Sequence, residues 1–220
     1  AIAVTGGRCS AMLDATSFPP WWSIDARAGE VLTIGPPGQG ARGYLTVRGG
    51  IDVPLILGSR STNLRTGFGG LEGRAIQAGD VLRAGAAPGD GRDTPGRPGY
   101  GVVPPDLEIE PSAATADTLP IRVLPGPEYD LFTADALDEF WSAPWKVAPQ
   151  GDRMGIRLRG PTLAPDPPVE IRSGGIVVGV IQIPPSGEPI IQLRDGNSAG
   201  GYPRIGVVAR ADLWRLGQAW

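Results

Sequence analysis

Two short aliphatic runs, Ile176–Ile183 and Pro189–Leu193, flank the tight segment Pro184-Pro185-Ser186-Gly187. Runs rich in Val and Ile, punctuated by Pro and Gly, predict a β-hairpin. The first run is almost continuously apolar, as suits a strand covered on both faces. Gln182 interrupts it. A buried amide without partners costs about 1–3 kcal/mol, so Gln182 is either a satisfied core amide or a group turned toward a ligand. After the second run, Asp195-Gly196-Asn197-Ser198-Ala199-Gly200-Gly201-Tyr202-Pro203-Arg204 gathers a carboxylate, an amide, a hydroxyl, a phenol and a guanidinium in one loop. Gly200 and Gly201 allow close backbone approach and positive φ. A plain surface loop collects the same residue types, and that reading stands beside the functional one.

The same punctuation runs through the whole chain. Its 34 glycines and 24 prolines make about a quarter of 220 residues, yet 41% of residues are apolar and fall in short runs. Many tight turns between short strands give an all-β fold with a few short helices. The polar, Pro/Gly/Asp-rich stretch after Gly85 divides it into an N-terminal lobe (1–103), a linker or crossing strand (104–120) and a C-terminal lobe (121–220). Ala1–Thr5, Tyr44–Val47, Ile121–Leu124 and Ile156–Leu158 read as strands. Thr133 reads as the N-cap of a helix through about Trp141, and Ala211–Leu216 as a short helix closed by Gly217. Ala28-Gly29-Glu30-Val31-Leu32 is echoed by Ala78-Gly79-Asp80-Val81-Leu82, which predicts two similar hairpins.

Several chemistries are excluded. With no histidine, Ser-His-Asp and Cys-His systems and His-containing zinc sites are impossible. The single cysteine, Cys9, forms no internal disulfide and fits a reducing cytoplasm. The only lysine, Lys146, does not follow a glycine, so there is no GK[ST] phosphate loop. A net charge of −3 without a basic block argues against nucleic acid and anionic membranes. Gly67-Phe68-Gly69-Gly70-Leu71-Glu72-Gly73 places Glu72 where a dinucleotide fingerprint needs glycine, and that reading is rejected. Catalysis is left to carboxylates, Arg, amides, Tyr, backbone N–H groups or a partner. Two further stretches carry such groups: Leu57–Arg65, with Arg60 and Asn63, which suits an anion or a carbonyl, and Pro149–Leu158, where Asp152 and Arg153 sit between Gly151 and Gly155.

Taken in order, GYLTVRGGIDVPLILGSRSTNLRTGFGGLEGRAIQAGDVL, PQGDRMGIRLRGP, GVIQIPP, GEPIIQL and GGYPRI resemble the allophanate hydrolase subunit 2 family. That family is also known as Kip antagonist, as the C-type 5-oxoprolinase subunit, or as biotin-dependent carboxyltransferase-like. The resemblance implies two cyclophilin-like β-barrel lobes and a Kip-inhibitor-like (allophanate hydrolase subunit 1) partner. It further implies a place, with a third subunit, in a cytoplasmic ATP-dependent 5-oxoprolinase that opens 5-oxoproline to glutamate. Two alternatives accompany it: carboxyl transfer from carboxybiotin to urea or a related amide, and a non-catalytic regulator that binds the Kip-inhibitor-like partner. The family extends beyond both ends of the stretch matched here, so the chain is expected to be part of a longer protein. It departs from the family at Ser198 and Ala199, where two threonines are usual, and at Gly151, where Ser or Thr is usual. The resulting expectation is a site in which Arg153 and Arg204 hold a carboxylate or phosphate, and Gln182 and Asn63 orient a lactam or ureido carbonyl. Asp152 or Asp195 would accept the proton, with Tyr202 and Arg60 completing the substrate contacts.

Overall fold

The computed structural model describes residues 1–38, 40–87, 99–102, 118–167, 169 and 171–219. They divide into two compact units, Ala1–Leu107 and Glu108–Trp220. The expected linker at 104–120 lies almost wholly outside the described residues.

In the first unit the described strands are β1 (Ile2–Gly6), β2 (Cys9–Leu13), β3 (Thr16–Phe18), β4 (Trp22–Ile24), β5 (Leu32–Pro37), β6 (Gly43–Val47) and β7 (Tyr100–Gly101). All pair antiparallel, in the orders β6-β1-β4-β7 and β3-β2-β5. Alternation drives burial: Cys9, Ala11 and Leu13 of β2 point inward and join Val4 and Phe18 in a small core. From residue 51 to 85 the backbone is held by isolated bridges, Ile51 with Ala84, Ile56 with Ser59 and Asn63 with Phe68. The internal echo therefore yields one strand, not two hairpins. Gly29 and Gly79 both turn at positive φ, but only the first copy continues into a strand, β5. In the second copy Val81 is exposed and Ala84 makes a single bridge.

The second unit contains β8 (Val123–Pro125), α1 (Ala134–Ser142), β9 (Lys146–Val147), β10 (Gly155–Arg159), β11 (Gly174–Gly175), β12 (Val180–Gln182), β13 (Ile190–Gln192), β14 (Ala199–Gly200), β15 (Arg204–Val208) and α2 (Leu213–Leu216). A six-stranded antiparallel sheet runs β8-β15-β12-β13-β10-β9, beside the ribbon β11-β14. One sheet face carries Ile181, Ile183, Ile191 and Ile205, which pack with Phe132, Phe140 and Leu163 into the main core. Thr133 caps α1 as expected, its Oγ1 accepting the Ala136 N–H at 3.2 Å, and Ala136 and Phe140 form the buried helix face. The expected hairpin is β12–β13, shorter than the aliphatic runs suggest. Gly179 at φ 91° breaks the first run at a point where a Cβ would meet Leu213, and Gly174–Gly175 diverges to pair with β14. The described residues are thus β-rich with short helices, in keeping with the composition, and none of their helices is long and apolar enough to cross a membrane.

One ion pair ties the C-terminal turn to this sheet. Asp212 is fully buried and accepts from the Arg122 backbone N–H at 2.8 Å, from Nε at 2.9 Å and from Nη2 at 2.7 Å. The Arg122 hydrogen bonds hold the Asp212 carboxyl down to about 2. Because the folded-state value is depressed, the stabilisation is complete above an ordinary Asp value of about 4 and is lost as pH falls toward 2. Asp212→Asn should therefore lower unfolding free energy at pH 7 by about 1–3 kcal/mol. In urea titrations the gap from the parent protein should narrow steadily between about pH 4 and pH 2.

Candidate functional site

In the second unit the turn 151–155 and the loop 195–203 meet beside the β10–β13 edge. Gly155 lies opposite Gln192 in the strand pairing, and this register carries the preceding turn to the start of the loop. Leu193 N–H donates to Met154 O at 2.9 Å and Asp195 N–H to Arg153 O at 3.1 Å. Across this backbone seam Arg153 Nε pairs with Asp195 Oδ2 at 3.0 Å, with both side chains about half exposed at 54% and 48%. An exposed pair of this kind contributes about 0–1 kcal/mol, so a ligand can exchange into it at little cost. Asp152 is used differently: its Oδ1 accepts the N–H groups of Met154 at 2.8 Å and Gly155 at 3.3 Å. It shapes the turn that presents Arg153.

Gln182 is a buried amide, 6% exposed, whose Nε2 donates to Tyr202 O at 3.4 Å. That places the Tyr202 backbone on the sheet while its phenol ring stays exposed. Arg204 is committed within the protein. Its Nε donates to Glu128 Oε2 at 2.7 Å, its Nη2 to Glu128 Oε1, its backbone N–H to Oε2 at 3.1 Å, and Nη1 reaches Gly175 O at 3.4 Å. The guanidinium holds the Glu128 carboxyl below its ordinary range. A bulge explains the geometry: Ile181 pairs with Gly206 but Gln182 with Arg204, leaving Ile205 as the extra residue. Arg204 is therefore not the open anion fork that its sequence position suggests, because Glu128 already fills it.

The remaining predicted residues belong to the first unit. Arg60 Nε donates to Val53 O at 3.0 Å. Asn63 Oδ1 accepts the N–H groups of Arg65 and Thr66, both at 3.2 Å, and its backbone closes the turn with Gly67 and Phe68. The structure brings together Arg153 and Asp195, with Asp152 beneath them and Gln182 and Tyr202 at the far end of the loop. Sequence reasoning missed Gln192, a second buried amide whose Nε2 donates to Asn197 O at 3.2 Å. The polar break in Pro189–Leu193 is the same signal that flagged Gln182. Glu128 was also missed; nothing local marks a partner 76 residues from Arg204. Among the described residues, His, Cys, Asp and Glu form no group able to hold a metal ion.

Residues 1–220 match the family model described as carboxyltransferase domain, subdomain A and B. Over 216 residues the chain is 39% identical to the C-type 5-oxoprolinase subunit of Escherichia coli, covering 98% of this chain and 65% of that protein. It is 33% identical over 231 residues to urea amidolyase of Saccharomyces cerevisiae, covering 99% of this chain and 12% of that protein. The solved urea carboxylase of Kluyveromyces lactis aligns over 100% of this chain and 20% of its own, at a TM-score of 0.77 and 33% identity. The chain thus spans a little under two thirds of its 5-oxoprolinase relative.

The Glu128–Arg204 arrangement predicts a structural phenotype. Glu128→Ala should cost about 1.5–3 kcal/mol in urea unfolding, the range for hydrogen bonds to charged groups. Arg153→Ala should change stability by less than about 1 kcal/mol in the same titration.

Proposed function

The chain belongs to the carboxyltransferase domain family, subdomains A and B, and within that family we propose that it is the amide-handling part of a 5-oxoprolinase subunit. The parent protein would act in the cytoplasm with a Kip-inhibitor-like subunit and a third subunit to convert 5-oxoproline to glutamate. The observation that carries this reading is the 39% identity with the Escherichia coli 5-oxoprolinase subunit over 98% of the chain, against 33% with urea amidolyase.

The exposed Arg153–Asp195 pair supplies suitable chemistry. The carboxylate of 5-oxoproline competes with Asp195 for the Arg153 guanidinium, whose planar fork suits a carboxylate. Asp195, displaced, becomes a proton acceptor for the attacking water, a role that falls to a carboxylate in a chain without histidine. The water oxygen ends in the new carboxylate, the ring C–N bond breaks, and the nitrogen leaves as the amine of glutamate. Asp152 keeps the turn in shape beneath Arg153. ATP supplies the driving force when bound, and its binding is assigned to the partner subunits because this chain lacks a lysine-bearing phosphate loop.

The test is reconstitution of the full-length protein with its neighbouring subunits, ATP and 5-oxoproline, with glutamate measured. Glutamate should form, and Arg153→Ala should lower kcat/KM about 10- to 100-fold, the range for a charged hydrogen bond. Bicarbonate incorporation into urea without glutamate formation would establish biotin-dependent carboxyl transfer instead. Assembly with the Kip-inhibitor-like protein and no turnover of either kind would establish a regulator.

A further inference from the structure

Two buried glutamines lie under one loop. The Ile181–Ile191 pair turns both isoleucines into the core, so Gln182 and Gln192 occupy the opposite face of β12 and β13. They are only 6% and 8% exposed. Each side-chain amide donates to a carbonyl of the loop above it, Gln192 Nε2 to Asn197 O and Gln182 Nε2 to Tyr202 O. Those two carbonyls delimit residues 197–202. The loop's glycines lie against the same amides. A Cβ on Gly196 would overlap the Gln192 amide and come within 2.6 Å of Met154 O, and one on Gly200 would lie 3.0 Å from Gln182 Nε2. Apolar side chains would fill this face without the desolvation cost of two amides, so packing alone does not explain them.

We propose that Gln182 and Gln192 are positioning residues, a pair of amide clamps that fix the Asn197–Tyr202 loop on the sheet and thereby set the substrate-facing geometry of Ser198 and Tyr202. Gln182 acts through the loop backbone rather than by the ligand contact its sequence position suggests. The clamp itself stands on geometry alone; its effect on catalysis rests on the proposed 5-oxoprolinase reading.

The test uses the full-length protein, with hydrogen exchange followed by residue. Gln192→Leu and Gln182→Leu should each speed exchange of the 196–202 amides about tenfold, the equivalent of one lost hydrogen bond, while Val180 and Ile181 keep their protection. Gln192→Glu, which opposes a carboxylate to Asn197 O, should do the same. Gly196→Ala presses on the Gln192 amide from the loop side and should free the loop even where a sheet-face variant loses its fold. In the reconstituted complex these variants should raise KM for 5-oxoproline more than they lower kcat, and Gln192→Asn should restore part of the loss. Unchanged loop exchange in Gln192→Leu and Gly196→Ala overturns the clamp. Faster loop exchange in a complex that never forms glutamate supports the clamp and rejects the 5-oxoprolinase reading.

Discussion

The antiparallel pairing of Ile181 with Ile191 organises the second unit. It fixes a register in which one face of β12 and β13 is wholly aliphatic and the other presents Gln182 and Gln192. A slip of one residue would exchange the two faces, burying amides in the isoleucine core and pressing isoleucines against a glycine loop. The aliphatic face supplies the burial that stabilises the sheet; the amide face supplies directional bonds that tell the loop where to lie. Both sets of demands are met by Ile181-Gln182 and Ile190-Ile191-Gln192.

Glycine in the loop has a steric origin tied to that register. Gly196 and Gly200 lie close above the amide face, and neither has room for an ordinary side chain without displacing a glutamine or Met154 O. The glycines and glutamines therefore form a single device read from two sides. The bulge at Ile205 completes it by turning Arg204 toward Glu128, so that the chain leaving the loop is anchored to a different part of the unit.

Much of this was legible in the sequence, and the exceptions have physical causes. Alternation marked β10, Val/Ile content marked β12 and β13, and Thr133 marked the start of α1, because each signal is local. The Asp195–Tyr202 loop and the Asp152-Arg153 turn stood out by their chemistry, and the structure joins them through Leu193 and Asp195. What could not be read was who partners whom. Arg204 looks like a free guanidinium until Glu128 arrives from 76 residues away, and Arg122 meets Asp212 across 90 residues. The echo at residues 78–82 misled because a glycine turn followed by Val-Leu is compatible with a strand but does not create the neighbour a strand must pair with.

Among the described residues of the second unit, the ion pairs differ in a way that separates framework from site. Asp212 is buried and Glu128 nearly so, and their arginines hold both carboxyls below the ordinary range. Breaking either leaves a carboxylate with little access to water, so neither pair gives way to a ligand cheaply. Arg153 and Asp195 face solvent on both sides of their contact. Water can take over either partner, which makes this pair weak as a staple and exchangeable as a binding element. Exchange needs a stable platform, and the two shielded pairs together with the amide-bearing sheet provide one. The weakest of these ion pairs is therefore the one best placed for chemistry.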